Sequence, residues 1–210
     1  MTRTPFSTKA GRLEAFSDGV IAVIITVMVL ELRPPHGVDF GSLRAILPTA
    51  SAYALSFVFI GIYWNNHHHM LQATKGVNGR VMWANLYFLF WLSLVPFTTS
   101  WLGQNPFAPV PTALYGFVLL MNAIAFTVLQ NELKRVNGPN GAFAKAVEAG
   151  FKEKASLLIY LSSIGVAFIS TVVADVLFVT VAATWIIPDR RFEAVTAQRQ
   201  AKSVDADRSQ

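Results

Sequence analysis

Residues 12–32 read RLEAFSDGVIAVIITVMVLEL, an apolar run with a charged lead and the pair Pro34-Pro35 close behind it. About 20 such residues span the hydrocarbon core of a bilayer as a helix. The proline pair cannot continue a helix, so the run is a single span that stops near Leu32. Glu14 and Asp18 lie inside it, and Glu31, Leu32 and Arg33 stand where a cleaved leader would carry small residues, so the span is expected to remain in the mature protein.

Working outward, further apolar runs begin near Ala45, Val81, Thr112 and Ala155. The second span is expected from Leu43 to Leu71 and the third from Arg80 to Leu102, bent at Pro96. The fourth is expected from Pro111 to Leu133. The stretch from Ala155 to Pro188 is too long for one crossing and is interrupted by Asp175, which reads as a tight hairpin of two short spans. The expectation is an all-α integral membrane protein with six transmembrane helices. It divides into a cytoplasmic lead (1–11), a transmembrane domain (12–188) and a polar, disordered cytoplasmic tail (189–210).

Composition agrees: 53% of the 210 residues are hydrophobic, 14% are charged, and the mean hydropathy is +0.45. A soluble domain of that balance would aggregate. There is no cysteine, which removes disulfide and thiolate chemistry. With six spans and an internal N-terminus, nearly all basic residues, among them Arg12, Lys75, Arg80, Lys134, Arg135, Lys152, Arg190 and Arg191, fall on the cytoplasmic side. Only Arg33 and Arg44 fall outside. The net charge of +5 is therefore a consequence of topology in the cell membrane, and no nucleic-acid partner is implied.

The first span also carries a seven-residue beat. At 100° per residue, Phe16, Val20, Val23, Val27 and Leu30 fall within roughly 80° of one another, with Gly19 and Thr26 on a flank. Such a seam packs copies of a helix around an axis. Asp18 lies about 140° from Val23 on the same wheel, so it faces its own bundle. A carboxylate there needs a partner, which a histidine or asparagine from the end of the second span could supply; the alternative is a side chain that snorkels to the interface. His67, His68 and His69 are consecutive, about 100° apart, and neither His67 nor His68 has a ligand-type residue at i+4, so no metal site is expected. No nucleophile elbow, phosphate loop or pair of carboxylates in one membrane half suggests an enzyme.

The run Arg12-Leu13-Glu14-Ala15-Phe16-Ser17-Asp18 resembles the RxxxFSD signature of the transmembrane protein 175 family of potassium channels. Gly19 to Leu32 resembles that family's first helix, Tyr63-Trp64 with Asn66-His67-His68 its second-helix motif, and Ile186-Ile187-Pro188-Asp189-Arg190-Arg191 the end of its last span. The resemblance implies a homotetramer of one-repeat subunits conducting potassium ions, with no cofactor and a pore lined by the first helix. It places the hydrophobic constriction at Val23, with Val27 and Leu30 further out and Thr26 as a polar layer. Arg12, Phe16, Ser17, Asp18, Trp64, His67 and His68 would anchor the pore helix. Valine at 23 and 27, where many members carry isoleucine or leucine, implies a wider constriction that discriminates less between potassium and sodium. The TVGYG-type carbonyl filter of ordinary potassium channels is absent from the chain. Two other functions fit the same residues: a proton-coupled transporter using Asp18 with His67 or His68, and a non-conducting membrane scaffold.

Overall fold

The computed structural model describes residues 5–35, 37–74, 76–138, 143–144 and 151–186, with side chains from residue 10 onward. The expected tail at 189–210, and most of the turn cluster around Pro139, lie outside the described residues. Among the described residues, seven helical segments of ten residues or more follow one another: α1 (Pro5–Leu30), α2 (Phe40–Ala73), α3 (Gly79–Ser93), α4 (Val95–Gln104), α5 (Pro109–Asn137), α6 (Phe151–Val166) and α7 (Thr171–Ile186). Since α3 and α4 are two parts of one bent rod over Gly79–Gln104, the described chain has six helical rods.

Local chemistry explains the boundaries. Asp39 starts α2: its carboxylate accepts from the Ser42 amide and hydroxyl, both at 2.7 Å, and these bonds hold its pKa below the ordinary carboxylate value. Asn78 caps α3 in the same way through the Val81 amide. Pro48 sits inside α2, past its first turn, where its nitrogen cannot donate to the Arg44 carbonyl. Pro96 breaks the third rod at Leu94, because a proline nitrogen cannot donate to the carbonyl four residues back. Asn122 on α5 donates 3.2 Å to the Trp91 carbonyl beside this break, supplying a partner for a carbonyl whose helical bonding is disturbed.

Four rods are long and apolar enough to cross a membrane: Ala10–Leu30 within α1, α2, the bent α3–α4 rod and α5. The expected final hairpin is present as α6 and α7, 16 residues each, joined by a turn in which the Ser170 amide donates to the Val166 carbonyl. Packing falls into two apolar centres. Ile21, Ile24 and Met28 of α1 meet Ile60, Phe88, Leu92 and Leu129 in one; Phe59, Tyr115, Tyr160 and Phe178 build the other between α2, α5, α6 and α7. α1 packs on α2, α3 and α4, while α5 lies between α3 and the α6–α7 hairpin.

Candidate functional site

α1 has two unlike faces. Ile21, Ile24 and Met28 are at most 5% exposed, whereas Phe16, Val23, Val27 and Leu30 are 51%, 59%, 45% and 77% exposed. Val20 is half-buried beside them and Thr26 is exposed, its hydroxyl donating back to the Val23 carbonyl at 2.9 Å. The residues of the seven-residue beat therefore share the face of α1 that its own bundle leaves open. Beside it, a cleft of about 400 Å³ runs between α1 and the α3–α4 bend, lined by Val23, Val27 and Glu31 on one side and Ser93, Pro96 and Phe97 on the other.

Behind that face, the middle of α1, around Ser17 and Asp18, is tied to α2 and α3 by polar bonds. Buried Asn85 is the hub: its Oδ1 lies 2.7 Å from His67 Nε2, and its Nδ2 donates to Ser17 Oγ at 2.9 Å. The Ser17 hydroxyl donates in turn to the Leu13 carbonyl at 2.9 Å. An amide oxygen only accepts, so His67 carries its proton on Nε2; Nδ1 is buried without a hydrogen-bond partner. The ring of His67 stacks on Phe88, centroids 5.9 Å apart. Each member is fixed by a helix that packs elsewhere, which is what positions Ser17 and hence the roll of α1.

A second set lies beside the first. The Trp64 indole N–H donates to Asp18 Oδ1 at 2.9 Å, and the Trp64 ring stacks on His68. His68 Nδ1 lies 2.7 Å from Glu14 Oε1, an ion-pair contact without hydrogen-bond alignment, while its Nε2 lies 2.9 Å from Gln72 Nε2. At the other end of the helix, Ser100 of α4 donates to Glu31 at 2.8 Å.

Of the expected anchoring residues, Ser17, Asp18, Trp64, His67 and His68 come together. Phe16 instead lies on the open face, and Arg12 is exposed and joins none of the hydrogen bonds found among the described residues. Asp18 takes Trp64 as its partner rather than histidine or asparagine. Glu14 and Asp18 do form a pair of carboxylates at one end of the helix, against the expectation, and with His68 they bring three ligand-type atoms within 4.8 Å. Spacing counted from His67 and His68 does not find this group, because the two carboxylates, four residues apart, lie on α1 while the histidine lies on α2. Asn85 was legible as a polar residue in a span, but the sequence carried no signal for its two partners. A further buried chain went unread: Tyr115 to Ser56 at 2.9 Å, Ser56 to Thr99 at 2.7 Å, and Thr99 to the Val95 carbonyl, joining α5, α2 and α4.

Comparison with known proteins agrees with this arrangement. Residues 12–96 match the family model described as endosomal/lysosomal potassium channel TMEM175. A protein of Chryseobacterium sp. (strain P1-3) named as a potassium channel is 50% identical over 183 residues, 87% of this chain and 95% of that protein. Another so named, from Streptomyces collinus, is 32% identical over 173 residues, 77% of this chain and 84% of its own length. The crystal structure described as a lysosomal potassium-selective channel TMEM175 homolog from Chamaesiphon minutus superposes with a TM-score of 0.74 at 27% identity. The match covers 87% of this chain and 98% of that one. The chain is a multi-pass membrane protein and belongs to the TMEM175 family.

Proposed function

We propose that this chain is the subunit of a potassium channel in which copies of α1 surround the conduction path. The observation that carries the reading is the exposed stripe of Phe16, Val23, Val27 and Leu30 on a helix whose opposite face is fully packed. Four copies around one axis would bring these stripes together. A ring of valines makes a dry constriction that gates by dewetting, and Thr26, on the flank, offers a hydroxyl between the apolar layers. Selection among cations then rests on pore width and a few hydroxyls, because the chain has no carbonyl filter.

The topology of this reading has six crossings and both ends in the cytoplasm. An α-helix of 16 residues is about 24 Å long, short of a hydrocarbon core of about 30 Å. The α6–α7 hairpin therefore crosses where the bilayer thins or where its flanking residues complete the span. The ties at Asn85 and Trp64 belong to the cytoplasmic end, the bond from Ser100 to Glu31 to the outer mouth. Holding α1 at its middle and just past its last turn fixes which residues face the axis.

Proton-coupled transport gains little from the geometry. The bonds from His67 to Asn85 to Ser17 end on the Leu13 carbonyl, which can accept but not pass on a proton, and Asp18 is bonded to an indole outside that chain.

The test is flux from potassium-loaded liposomes containing the purified protein, with sodium substituted in parallel and Val23→Asn as the comparison. Potassium-preferring flux that rises in the variant and loses its preference is the expected outcome. Unchanged flux and preference in the variant would place the constriction elsewhere.

A further inference from the structure

Asp175 is a carboxylate one turn inside an otherwise apolar helix, and the channel reading gives it no role. It lines a groove of about 640 Å³ along the outer face of α7 together with Val172, Val176, Val179, Ala183 and the ring of Phe107. The valines are each more than half exposed. The two threonines of the groove are already satisfied within the helix, Thr180 by the Val176 carbonyl and Thr184 by the Val181 carbonyl. Asp175 takes part in none of the hydrogen bonds or ion pairs found among the described residues. The groove is thus a shallow apolar trough, open along its length and lined by one face of α7 with Phe107 at its edge, and it holds one anionic group near the start of α7.

Phe107 closes that end. It precedes α5, is 69% exposed, and has a backbone φ of 64°, a left-handed conformation that side chains other than glycine, asparagine and aspartate adopt seldom. From Asp175 to Thr184 the trough runs about 13 Å along the helix. A carboxylate and an aromatic face at one end of a trough of that length match a cation attached to a hydrocarbon chain.

We propose that this groove binds a phospholipid with a primary ammonium headgroup, of the ethanolamine type. Its ammonium sits on Asp175 beside Phe107, and an acyl chain lies along Val172, Val176 and Val179. A primary ammonium donates hydrogen bonds to a carboxylate, whereas a choline headgroup has no N–H to give. The Phe107 ring attracts either cation. Asp175 therefore sets the headgroup preference, while Phe107 and the valines set affinity for both. The proposal rests on the placement of α7 in the bilayer described above.

Native mass spectrometry of the full-length protein, equilibrated in detergent with equimolar phosphatidylethanolamine and phosphatidylcholine of identical acyl chains, tests it. The wild type is expected to retain the ethanolamine lipid about fivefold over the choline lipid, the upper range for an ion pair that water can reach. Asp175→Asn brings the ratio to about one with elution volume and helicity unchanged. Phe107→Leu lowers retention of both lipids at an unchanged ratio, and Val176→Trp, which fills the trough, lowers both. A wild-type ratio of one, or a preference that survives Asp175→Asn, overturns the headgroup assignment. Full retention in Val176→Trp overturns the groove. Dissociation of the oligomer in either α7 variant overturns the proposal by making this face a contact between subunits. Because the potassium flux of Val23→Asn is read separately, failure here is distinguishable from failure of the channel reading.

Discussion

α1 and α7 look alike in one respect and differ in another. Both bury one apolar stripe and expose another, valine-rich on each: Val23 and Val27 on α1, Val172, Val176 and Val179 on α7. Exposure of a valine stripe is common to the two helices. The difference is in how each is held. α1 is tied by side-chain bonds to other helices at Ser17, Asp18 and Glu31. α7 is held mainly by shape, with Phe178 edge-on to Tyr115 and close above Gly116. Its polar ties, Trp185 to Ser156 and the Lys152 ammonium to the Thr184 carbonyl, sit near its last turn, and of its buried residues Ala174, Phe178, Val181 and Ala182 are apolar, with only Thr171 at its start carrying a hydroxyl. A helix that must keep one rotation over many conduction events gains from directional bonds, whereas a helix in lipid needs only to pack.

The widest separation between the two is expected in ion flux. Val23→Asn and Val176→Asn make the same change on exposed valines of the two stripes. If the α1 stripe faces the pore, Val23→Asn raises potassium flux about tenfold, the effect of lowering a dewetting barrier by about 1.4 kcal/mol, and Val176→Asn leaves it unchanged. Equal effects in liposome flux would dissolve the distinction between the two stripes. A smaller separation is expected in stability. Asn85→Ala leaves the buried His67 N–H and one lone pair of Ser17 without partners, at about 3 kcal/mol in all, or roughly 6–12 °C in melting temperature for a chain of this size. Phe178→Leu on the packed helix keeps an apolar group in place but loses ring volume and the edge contact with Tyr115, and is expected to cost about 1–2 kcal/mol. Thermal unfolding of the purified variants, followed by size-exclusion, ranks the two; the reverse order would mean that α1 is held by packing after all.

Much of this contrast was legible in the sequence on one side only. The number of rods, the bend at Pro96 and the membership of the open face of α1 follow from hydrophobic length, proline chemistry and the 100° step, all properties of single helices. The ties do not, because they depend on which residues of different helices meet at one depth. Trp64 illustrates the limit: read as part of a motif, it gave no sign that its N–H rather than an imidazole would reach Asp18. Glu14 and Asp18 gain their third neighbour, His68, only from another helix. Phe16 fits the seam by its place on the wheel, and its 51% exposure agrees with the seam rather than with an anchor. The break at Leu94 lies two residues ahead of the proline that causes it, since the lost bond is the one the proline nitrogen would have made backward.

The smallest expected effect tests whether the ties on α1 are equivalent. Trp64→Phe removes the N–H that reaches Asp18 and keeps an aromatic ring for the stack on His68. Asp18 is half-buried and Trp64 is 42% exposed, so water can take the place of the lost donor, which is not possible around Asn85. The expected cost is about 1 kcal/mol or less, a fall of about 2–4 °C in melting temperature, with potassium preference retained because neither residue lies on the open stripe. Asp18→Asn, which keeps an acceptor for the indole but removes the charge, is expected to weaken the oligomer more than it alters selectivity. A loss as large as that of Asn85→Ala would place the Trp64 bond out of reach of water in the assembled protein, and so within a subunit contact. A change of selectivity in an intact oligomer would instead bring Asp18 into the conduction path, and the division of α1 into a bonded back and a conducting front would no longer hold.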